Sequence, residues 1–450
     1  VNEIFMNIPH GLKNENEMPE TLLALDIGTE YIKAVIAERQ EGDNLIIRGV
    51  GKEHQAMGNM YAGAIADIPA VITACEKALS RAENMAGVVA RTCSVGIAGE
   101  LIKGNTKTVR YRRKDGNKPI SDQEMQLIIK RVQDKAEEQA REEVALETDN
   151  PDVEVRLINS AIVSLSIDGY KVSNPIGFKG SELVLQFYTA FAPLVHISAI
   201  EKVCAELNLD LVAVAVEPFA VCRACLGNNL DSNLSAIVMD IGGGTTDIAV
   251  VDNGGVEGTK MFGIGGRSFT HQVASKVGLD FDTAELVKIQ YSGLLSNDLH
   301  ALKTLTVSDA EHMNEVQNIL NVPDRMKKVE KAIADNTEVW VSGVGLALSD
   351  FSLLEALPNK ILLCGGGAGL STLQEALATS DWYEDLPFAR RPVIHLLDDV
   401  DIPDIQNATE IDLDYSYITA FGLLRVTVDT LNSEEEDTGL RAKLAKLLQN

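Results

Sequence analysis

Two short stretches with the same pattern decide the fold of this chain: LLALDIGTEYIKAVIAE from Leu22 to Glu38, and AIVMDIGGGTTDIAVVDNG from Ala236 to Gly254. Each begins with a run of apolar residues that ends in an aspartate. A turn of small residues follows, and then a second apolar run. This pattern predicts two strands joined by a glycine-rich turn. One such turn is usually structural, but two in one chain favour two backbone loops that face a common ligand.

The residue types in these turns suit a phosphate ligand with a magnesium ion. Glycine has no Cβ, so backbone N–H groups can approach phosphate oxygens, and the hydroxyls of Thr29, Thr245 and Thr246 can add hydrogen bonds. Asp26 and Asp240 suit hydrated Mg²⁺, which keeps several waters and takes few protein oxygens. The chain has no G-x-x-x-x-G-K-[ST] motif, and neither turn opens a helix as a dinucleotide-binding motif would.

The pair of turns resembles the phosphate 1 and phosphate 2 motifs of the actin-like ATPase superfamily, which includes actin, heat-shock chaperone ATPases and sugar kinases. Three further segments follow in the order of that superfamily: the connecting helix at VAVEPFAVCRACLG (214–227), the ribose- and adenine-binding helix at AELVKI (284–289), and the adenosine loop at ILLCGGGAGLSTL (361–373). The resemblance implies an α/β protein of the actin-like ATPase fold. In that fold two RNase H-like half-domains surround a nucleotide cleft, and here a small α+β subdomain is inserted.

Within the superfamily, three segments are similar to the FtsA family of cell division proteins. They are KPISDQEMQLIIKRV (118–132), SIDGYKVSNPIGFKGSELVLQF (166–187) and DYSYITAFGLLR (414–425). The segment GIGGRSFTHQVA (263–274) departs from that family at two places. Arg267 stands where an acidic or amide residue is usual, and His271-Gln272 stand where an acidic residue is common.

The order of the motifs predicts the domain organisation. It consists of a loose tail at 1–20, the first half-domain at 21–98 and 197–231, the inserted subdomain at 99–196, the second half-domain at 232–430, and an acidic linker with a C-terminal amphipathic helix at 431–450.

The resemblance implies a role for each motif residue. Glu217, which opens the connecting helix, would orient the attacking water, and Asp26, Asp240 and Asp247 would hold the magnesium ion. The residues implied to bind ATP are Asp26, Gly28, Thr29, Lys33, Gly242, Gly243, Gly244, Thr245, Thr246, Gly266, Glu285, Lys288, Gly365, Gly366 and Gly367. For Lys33, an exposed strand lysine without this role is an equally good interpretation.

Composition limits the remaining classes of function. The formal net charge of −26 argues against general nucleic-acid binding, because no large basic face can form. No apolar run approaches the ~18 residues of a membrane span, and no signal peptide is indicated, so we expect a cytoplasmic protein. Cys222 and Cys225 have C-x-x-C spacing without a second pair, which favours packing over metal binding.

Two charged segments suggest partners. KTVRYRRKDGNK (107–118) alternates and then reaches Asp115-Gly116, which predicts a hairpin whose basic cluster Arg110–Lys114 is either a solvated face or a contact with an acidic partner. After the acidic run 433–437, leucines at 440, 444, 447 and 448 follow helical spacing beside Arg441, Lys443 and Lys446. This predicts a short amphipathic helix that either docks on protein or binds the inner face of the membrane.

Three functions are compatible with these features. The first, implied by the resemblance to FtsA, is a scaffold that binds ATP, self-associates into filaments and tethers an FtsZ-like ring to the membrane at the division site, with slow hydrolysis. The second is a PilM-like ATPase of pilus or secretion-system assembly. The third is a metabolic kinase, although the insert does not suggest a sugar pocket.

Overall fold

The computed structural model describes residues 20–172, 174–227, 234–293, 307–351 and 354–435. Its strands are β1 Thr21–Ile27, β2 Tyr31–Arg39, β3 Leu45–His54, β4 Met60–Tyr61, β5 Ala64–Ile65, β6 Thr92–Ile97, β7 Lys103–Arg112, β8 Val155–Ile167, β9 Tyr170–Lys171, β10 Glu182–Pro193, β11 Asp210–Val216, β12 Ala236–Ile241, β13 Thr246–Asp252, β14 Gly255–Phe262, β15 Lys360–Cys364, β16 Val393–Leu396 and β17 Ile405–Asn407. Its α-helices are α1 Ile68–Ala86, α2 Asp122–Thr148, α3 Leu194–Glu206, α4 Glu217–Leu226, α5 Gly266–Val277, α6 Phe281–Tyr291, α7 Val307–Leu320, α8 Pro323–Ser349, α9 Ser371–Thr379 and α10 Ile418–Glu435.

The same strand arrangement occurs twice. In the first half-domain the order is β11-β6-β1-β2-β3, with β17 added beside β3, and in the second it is β16-β15-β12-β13-β14. In both, the first three strands in sequence are antiparallel and the outer ones are parallel. This repeat confirms the prediction of two RNase H-like half-domains in an α/β fold. The exact segment boundaries stay a prediction.

The inserted subdomain is joined by its chain to the first half-domain and by its sheet to the second. Its strands, in the order β7-β10-β8-β9, continue the sheet of the second half-domain because β7 pairs with β14. At this junction Gly258 lies opposite Asn105, and Thr259 opposite Gly104. A Cβ on Gly104 would lie 2.0 Å from Oγ1 of Thr259, so this close approach requires glycine. The helix α2 packs on one face of this sheet.

Capping side chains begin two of the long helices, and one local prediction fails. At α1, Asp67 accepts a hydrogen bond from the backbone N–H of Ala70. Ser121 likewise caps α2 by accepting from the N–H of Glu124. The hairpin predicted at 107–118 is wrong: β7 leads into α2, and its strand partners are β10 and β14.

The basic cluster of that segment is divided between surface and interior. Arg110 and Arg112 are exposed. Arg113 is buried, forms an ion pair with Glu124, and donates to the carbonyl oxygens of Lys118 and Gly180. Arg113 therefore holds the insert together, and the exposed Arg110, Arg112 and Lys114 remain available to a partner.

The described residues cover the two ends of the chain only in part. The acidic linker predicted from 431 is wrong at its start, because α10 continues to Glu435. The predicted N-terminal tail, apart from Glu20, and the C-terminal amphipathic helix lie outside the described residues. Within the described part of the chain, no helix has both the length and the apolar character needed to cross a membrane.

Helices α4 and α10 cross in close contact between the half-domains. Gly422 of α10 lies against the backbone of Ala220 in α4, where a Cβ would come within 2.0 Å of the carbonyl oxygen. Arg223 of α4 is buried and donates to Asp429 of α10 at 2.8 Å. Arg425 is fully buried and donates to the carbonyl oxygen of Asp43 at 2.8 Å. The crossing fixes the two helices whose first turns border the cleft.

We predict that Gly422→Ala lowers the free energy of unfolding by about 1–3 kcal/mol, because the added methyl overpacks the helix crossing. Gly345→Ala in α8 is the matched control, since nothing lies within 4 Å of a Cβ placed at that position. There, removing a helical glycine raises stability by roughly 0.5–1 kcal/mol. Urea unfolding of both variants measures the difference, and equal stabilities would contradict the packing argument.

Candidate functional site

The two glycine-rich turns meet at the cleft between the half-domains. A Cβ on Gly243 would lie 2.7 Å from Cβ of Glu30, and one on Gly244 would lie 2.8 Å from Oγ1 of Thr29. Gly28 itself is tight, because a Cβ there would lie 2.7 Å from the carbonyl oxygen of Tyr31. The absence of side chains therefore lets the two backbones approach each other across the cleft, as two loops that share a ligand require.

Below the first turn lies a buried ion pair. Asp26 in β1 and Lys33 in β2 are opposite each other in the antiparallel register, and Nζ of Lys33 donates to Oδ2 of Asp26 at 2.7 Å. The side chains are 5% and 12% exposed, respectively. The pairing shows that Lys33 is not a solvated strand lysine, and it places a cation beside the first turn.

Below the second turn lie two further aspartates. Asp240 in β12 and Asp247 in β13 are register partners and are both buried. Asp240 accepts a hydrogen bond from the hydroxyl of Thr419, at the start of α10. Asp247 accepts through Oδ2 from the hydroxyl of Thr245 at 2.9 Å, whereas its Oδ1 is buried and has no hydrogen-bond partner. An unpartnered buried carboxylate oxygen is costly and marks a place for a ligand or cation.

Glu217 opens α4 and completes the acidic group. It is partly exposed and packs against β6, where a Cβ on Gly96 would lie 3.1 Å from Cγ of Glu217. Burial, followed by repulsion from the three aspartates, raises the pKa of Glu217 well above its ordinary value.

Burial and neighbouring charges also shift the pKa values of the other ionisable groups in the cluster. Burial, with repulsion from Asp240, raises the pKa of Asp247 well above its usual range. Burial also raises the pKa of Asp240, while the hydrogen bond from Thr419 opposes the shift. Burial disfavours the charged form of Lys33, but the attraction of Asp26 outweighs it and raises the pKa of Lys33. The cluster therefore holds more negative charge than Lys33 can neutralise.

These residues fit a hydrated magnesium ion. Within the described ranges, no group of three or more His, Cys, Asp or Glu side chains lies close enough to hold a metal ion directly. Mg²⁺ commonly keeps several waters and is bound through few carboxylates. The unpartnered Oδ1 of Asp247 and the excess negative charge supply the acceptors for such waters. The donor set fits an ion held mainly through its water shell and a phosphate ligand.

The residues predicted for the nucleoside lie beside the second turn. Nζ of Lys288 donates to Glu285 at 2.7 Å and to the carbonyl oxygen of Gly266 at 3.2 Å. Gly365 has a positive φ of 82°, and a Cβ there would lie 2.1 Å from Oδ1 of Asp240. A Cβ on Gly367 would lie 2.9 Å from the carbonyl oxygen of Ile241. The adenosine loop thus packs directly on the strand that carries Asp240.

One predicted ligand does not face this cluster, and several contacts were missed. Thr246 is fully buried, donates to the carbonyl oxygen of Ile264, and accepts from the indole N–H of Trp340. Successive strand residues point to opposite faces, so Thr246 points away from the face of its neighbour Asp247. Its hydroxyl therefore makes hydrogen bonds inside the second half-domain instead. Gly366 makes no close approach, since nothing lies within 4 Å of a Cβ placed there. No local sequence pattern indicates the hydrogen bond from Thr419 to Asp240. For the ion pair between Glu30 and Arg267, the only signal in the sequence is that an arginine is unusual at position 267.

We predict that Asp247→Asn stabilises the ligand-free protein at pH 8 by about 1 kcal/mol, because the neutral amide removes a buried charge that burial and repulsion from Asp240 disfavour. The folded protein binds the proton of Asp247 more tightly than the unfolded chain, so stability due to this group falls as pH rises through the raised pKa. The variant should therefore lose less stability between pH 4, near the ordinary pKa of an aspartate, and pH 8. Denaturant unfolding at both pH values measures this, with Asp210→Asn at the exposed start of β11 as the control. A larger pH dependence in Asp247→Asn would contradict the assignment.

Comparison with known proteins agrees with this geometry. The family model described as "Cell division protein FtsA" matches residues 237–392. The cell division protein FtsA of Neisseria meningitidis serogroup B is 29% identical over 356 residues, covering 77% of this chain and 78% of that protein. FtsA of Streptococcus pneumoniae serotype 2 is 24% identical over 356 residues, covering 78% and 71%. A solved structure of a PilM–PilN type IV pilus biogenesis complex matches with a TM-score of 0.61 at 17% identity, covering 90% of this chain and 98% of that one, which shows a shared fold. The chain is therefore a relative of the FtsA cell division proteins with the actin-like ATPase fold.

Proposed function

We propose that this chain binds ATP with Mg²⁺ in the cleft and acts as an FtsA-like scaffold in cell division. The observation that carries the proposal is the meeting of the two glycine-rich turns above carboxylates from both half-domains. Phosphoryl transfer depends mainly on positioning and charge neutralisation, and this arrangement offers both. The role in cell division is supported by the sequence similarity to FtsA proteins.

Each half-domain would hold part of the nucleotide. The backbone at Gly28 and Thr29 would bind the terminal phosphates from one side, and the loop from Gly242 to Thr245 from the other. Lys33 would add positive charge from β2, while Glu285 and Lys288 in α6 border the ribose and adenine. The three aspartates would hold the water shell of Mg²⁺, which when bound supplies the charge neutralisation that the cluster lacks.

Glu217 is the residue proposed to orient the attacking water. It lies at the first turn of α4, is partly exposed, and is close enough to the three aspartates for their charges to raise its pKa. A carboxylate within hydrogen-bond reach of a water can position it and accept its proton. The raised pKa of Glu217 means that added positive charge in the cleft favours its ionised, proton-accepting form.

A cleft of this kind also provides a switch. ATP would contact both turns at once, whereas ADP after phosphate release would contact fewer of these groups. The two glycine-rich turns can therefore be held together when the terminal phosphate is present and released when it is lost. We propose that the ATP-bound form self-associates into filaments, so that nucleotide state controls assembly and hydrolysis is slow and regulatory.

The remaining parts of the proposal concern partners. The FtsA-like role implies binding to an FtsZ-like polymer and attachment to the inner face of the membrane at the division site, through the C-terminal helix at 440–448. That helix lies outside the described residues, and its support is the leucine and lysine spacing in the sequence. The alternative is a PilM-like role in pilus or secretion-system assembly, which the fold shared with the PilM–PilN complex favours.

Our prediction for the cleft is that Asp240→Ala weakens Mg²⁺–ATP binding by about tenfold or more, a free-energy change of ~1.4 kcal/mol. The reason is loss of a carboxylate that holds the magnesium waters. Titration calorimetry with and without Mg²⁺ measures the effect, which should be smaller without the ion. Glu217→Gln should keep ATP affinity within roughly threefold while slowing hydrolysis by about 10²–10⁴-fold. Unchanged affinity in Asp240→Ala with Mg²⁺ present would contradict the site.

For the cellular role, we expect the full chain with ATP to co-sediment with polymerised FtsZ and to float with anionic vesicles. A chain that ends at Asp437 should lose flotation but keep FtsZ binding, because the proposed anchor lies beyond that residue. The control ligand is an immobilised peptide from the cytoplasmic end of a pilus inner-membrane protein. Binding to that peptide without binding to FtsZ would contradict the FtsA-like role and support the PilM-like one.

A further inference from the structure

An ion pair connects the two half-domains at the meeting point of the glycine-rich turns. Nε of Arg267, in the first turn of α5, donates to Oε2 of Glu30, which lies between β1 and β2. The two side chains are 13% and 16% exposed, so the pair is largely screened from solvent. Glu30 directly follows Thr29 of the first turn. The contact therefore bridges the cleft next to the proposed phosphate site.

The second half-domain holds Arg267 rigidly. The backbone N–H of Arg267 donates to the carbonyl oxygen of Gly243 at 2.8 Å, and that of Gly266 donates to Gly242 at 2.9 Å. A Cβ on Gly265 would lie 2.6 Å from the Gly242 carbonyl oxygen, so this segment lies tightly on the second turn. The guanidinium group consequently moves with the second turn.

Contacts within the first half-domain hold Glu30 in place. Oε1 of Glu30 is 2.8 Å from Nε2 of His54, at the end of β3, and the carbonyl oxygen of Glu30 accepts from the N–H of Gln55 at 2.8 Å. His54 packs edge-on against the ring of Tyr31, with centroids 5.2 Å apart. The side chain of Glu30 and the backbone of Arg267 are therefore held by contacts outside the ion pair, which reduces the conformational entropy lost in pairing.

A second hydrogen bond crosses the cleft nearby. The backbone N–H of Gly263, which follows β14, donates to Oε1 of Glu100 at 2.6 Å. Glu100 lies just after β6, where the first half-domain leads into the insert, and the preceding Gly99 packs against the backbone of Ala62 and Gly63 in the first half-domain. An opening that moves the second half-domain away from Ala62 and Gly63 would break this bond together with the Glu30–Arg267 pair, so we use the Gly263 amide as the reporter of opening.

We propose that Arg267 is a positioning residue that clasps the second half-domain to Glu30 and thereby controls the rate at which nucleotide enters and leaves the cleft. Each partner is held by contacts within its own half-domain, so the clasp needs no nucleotide atom in order to form. It therefore stabilises the closed cleft in the free and the bound protein alike. The inference rests on the proposed nucleotide site for its effect on exchange, but not for its effect on cleft opening.

A clasp that acts in both states predicts a particular change in the rates of nucleotide association and dissociation. If association requires an open cleft, a contact that stabilises closure equally in both states slows association and dissociation by similar factors. The dissociation constant then changes little. A residue that touched the nucleotide itself would act differently, since most contacts in a bound complex alter the dissociation rate and hence the affinity.

The first arm of the test uses the ligand-free protein. Arg267→Gln and Glu30→Gln should each increase hydrogen exchange at the Gly263 amide by about tenfold, equivalent to ~1.4 kcal/mol. Exchange at the Gly242 amide, which donates to Thr245 within one turn at 2.9 Å, should stay unchanged. Arg48→Gln is the matched control, because Arg48 pairs with Glu38 within the first half-domain. Unchanged Gly263 exchange in both clasp variants would overturn the proposal, whether or not the protein binds ATP.

The second arm measures exchange of a fluorescent ATP analogue with Mg²⁺ by stopped flow. Arg267→Gln should raise both the association and the dissociation rate by about tenfold, with the dissociation constant within roughly threefold of the parent. The charge swap Glu30→Arg with Arg267→Glu should return both rates toward the parent values, while Glu30→Arg alone should not. A change confined to dissociation, or no recovery in the swap, would overturn the clasp. Absence of any nucleotide binding would instead count against the proposed function and leave the first arm to decide.

Discussion

The structure depends on one constraint: several carboxylates are buried where the two half-domains meet. Asp26, Asp240 and Asp247 lie below the turns, Glu217 lies beside them, and Lys33 is the cation paired with the first. Like charges in a region of low dielectric raise one another's pKa values and destabilise the folded chain. A fold can keep such a group when a bound cation compensates it, which gives the site a physical reason to bind Mg²⁺ next to the phosphates of a nucleotide.

The elements around the cleft keep these charges in place. The crossing of α4 and α10 at Gly422 fixes Glu217 at one end of α4 and Thr419 at the start of α10, and Thr419 donates to Asp240. The β7–β14 junction ties the inserted subdomain to the half-domain that carries Asp240. Movement of one half-domain relative to the other therefore reaches both the acidic cluster and the insert. This mechanical connection is what a nucleotide-dependent scaffold requires.

Much of this could be predicted from the sequence because the informative patterns are local. The strand–turn–strand motifs, the capping residues of α1 and α2, and the order of the motifs all appear within short windows. Contacts between distant residues could not be found in this way. Alternation identified β7 as a strand but not its partner β10, and Thr246 could not be assigned to a face of β13 from its neighbours alone. Arg113 looked solvated because Glu124 and the carbonyl oxygens that bury it lie on other elements. Arg267 stood out only as an unusual residue until its position opposite Glu30 was known.

A crystal structure with Mg²⁺ and a non-hydrolysable ATP analogue tests the central claim most directly. The account predicts the terminal phosphates between Gly28–Thr29 and Gly242–Thr245, with the hydrated ion facing Asp26, Asp240 and Asp247. It also predicts that Oδ1 of Asp247 gains a water or the ion as a partner. Nucleotide bound outside this cleft, or bound within it with the three aspartates facing no cation, would contradict the account.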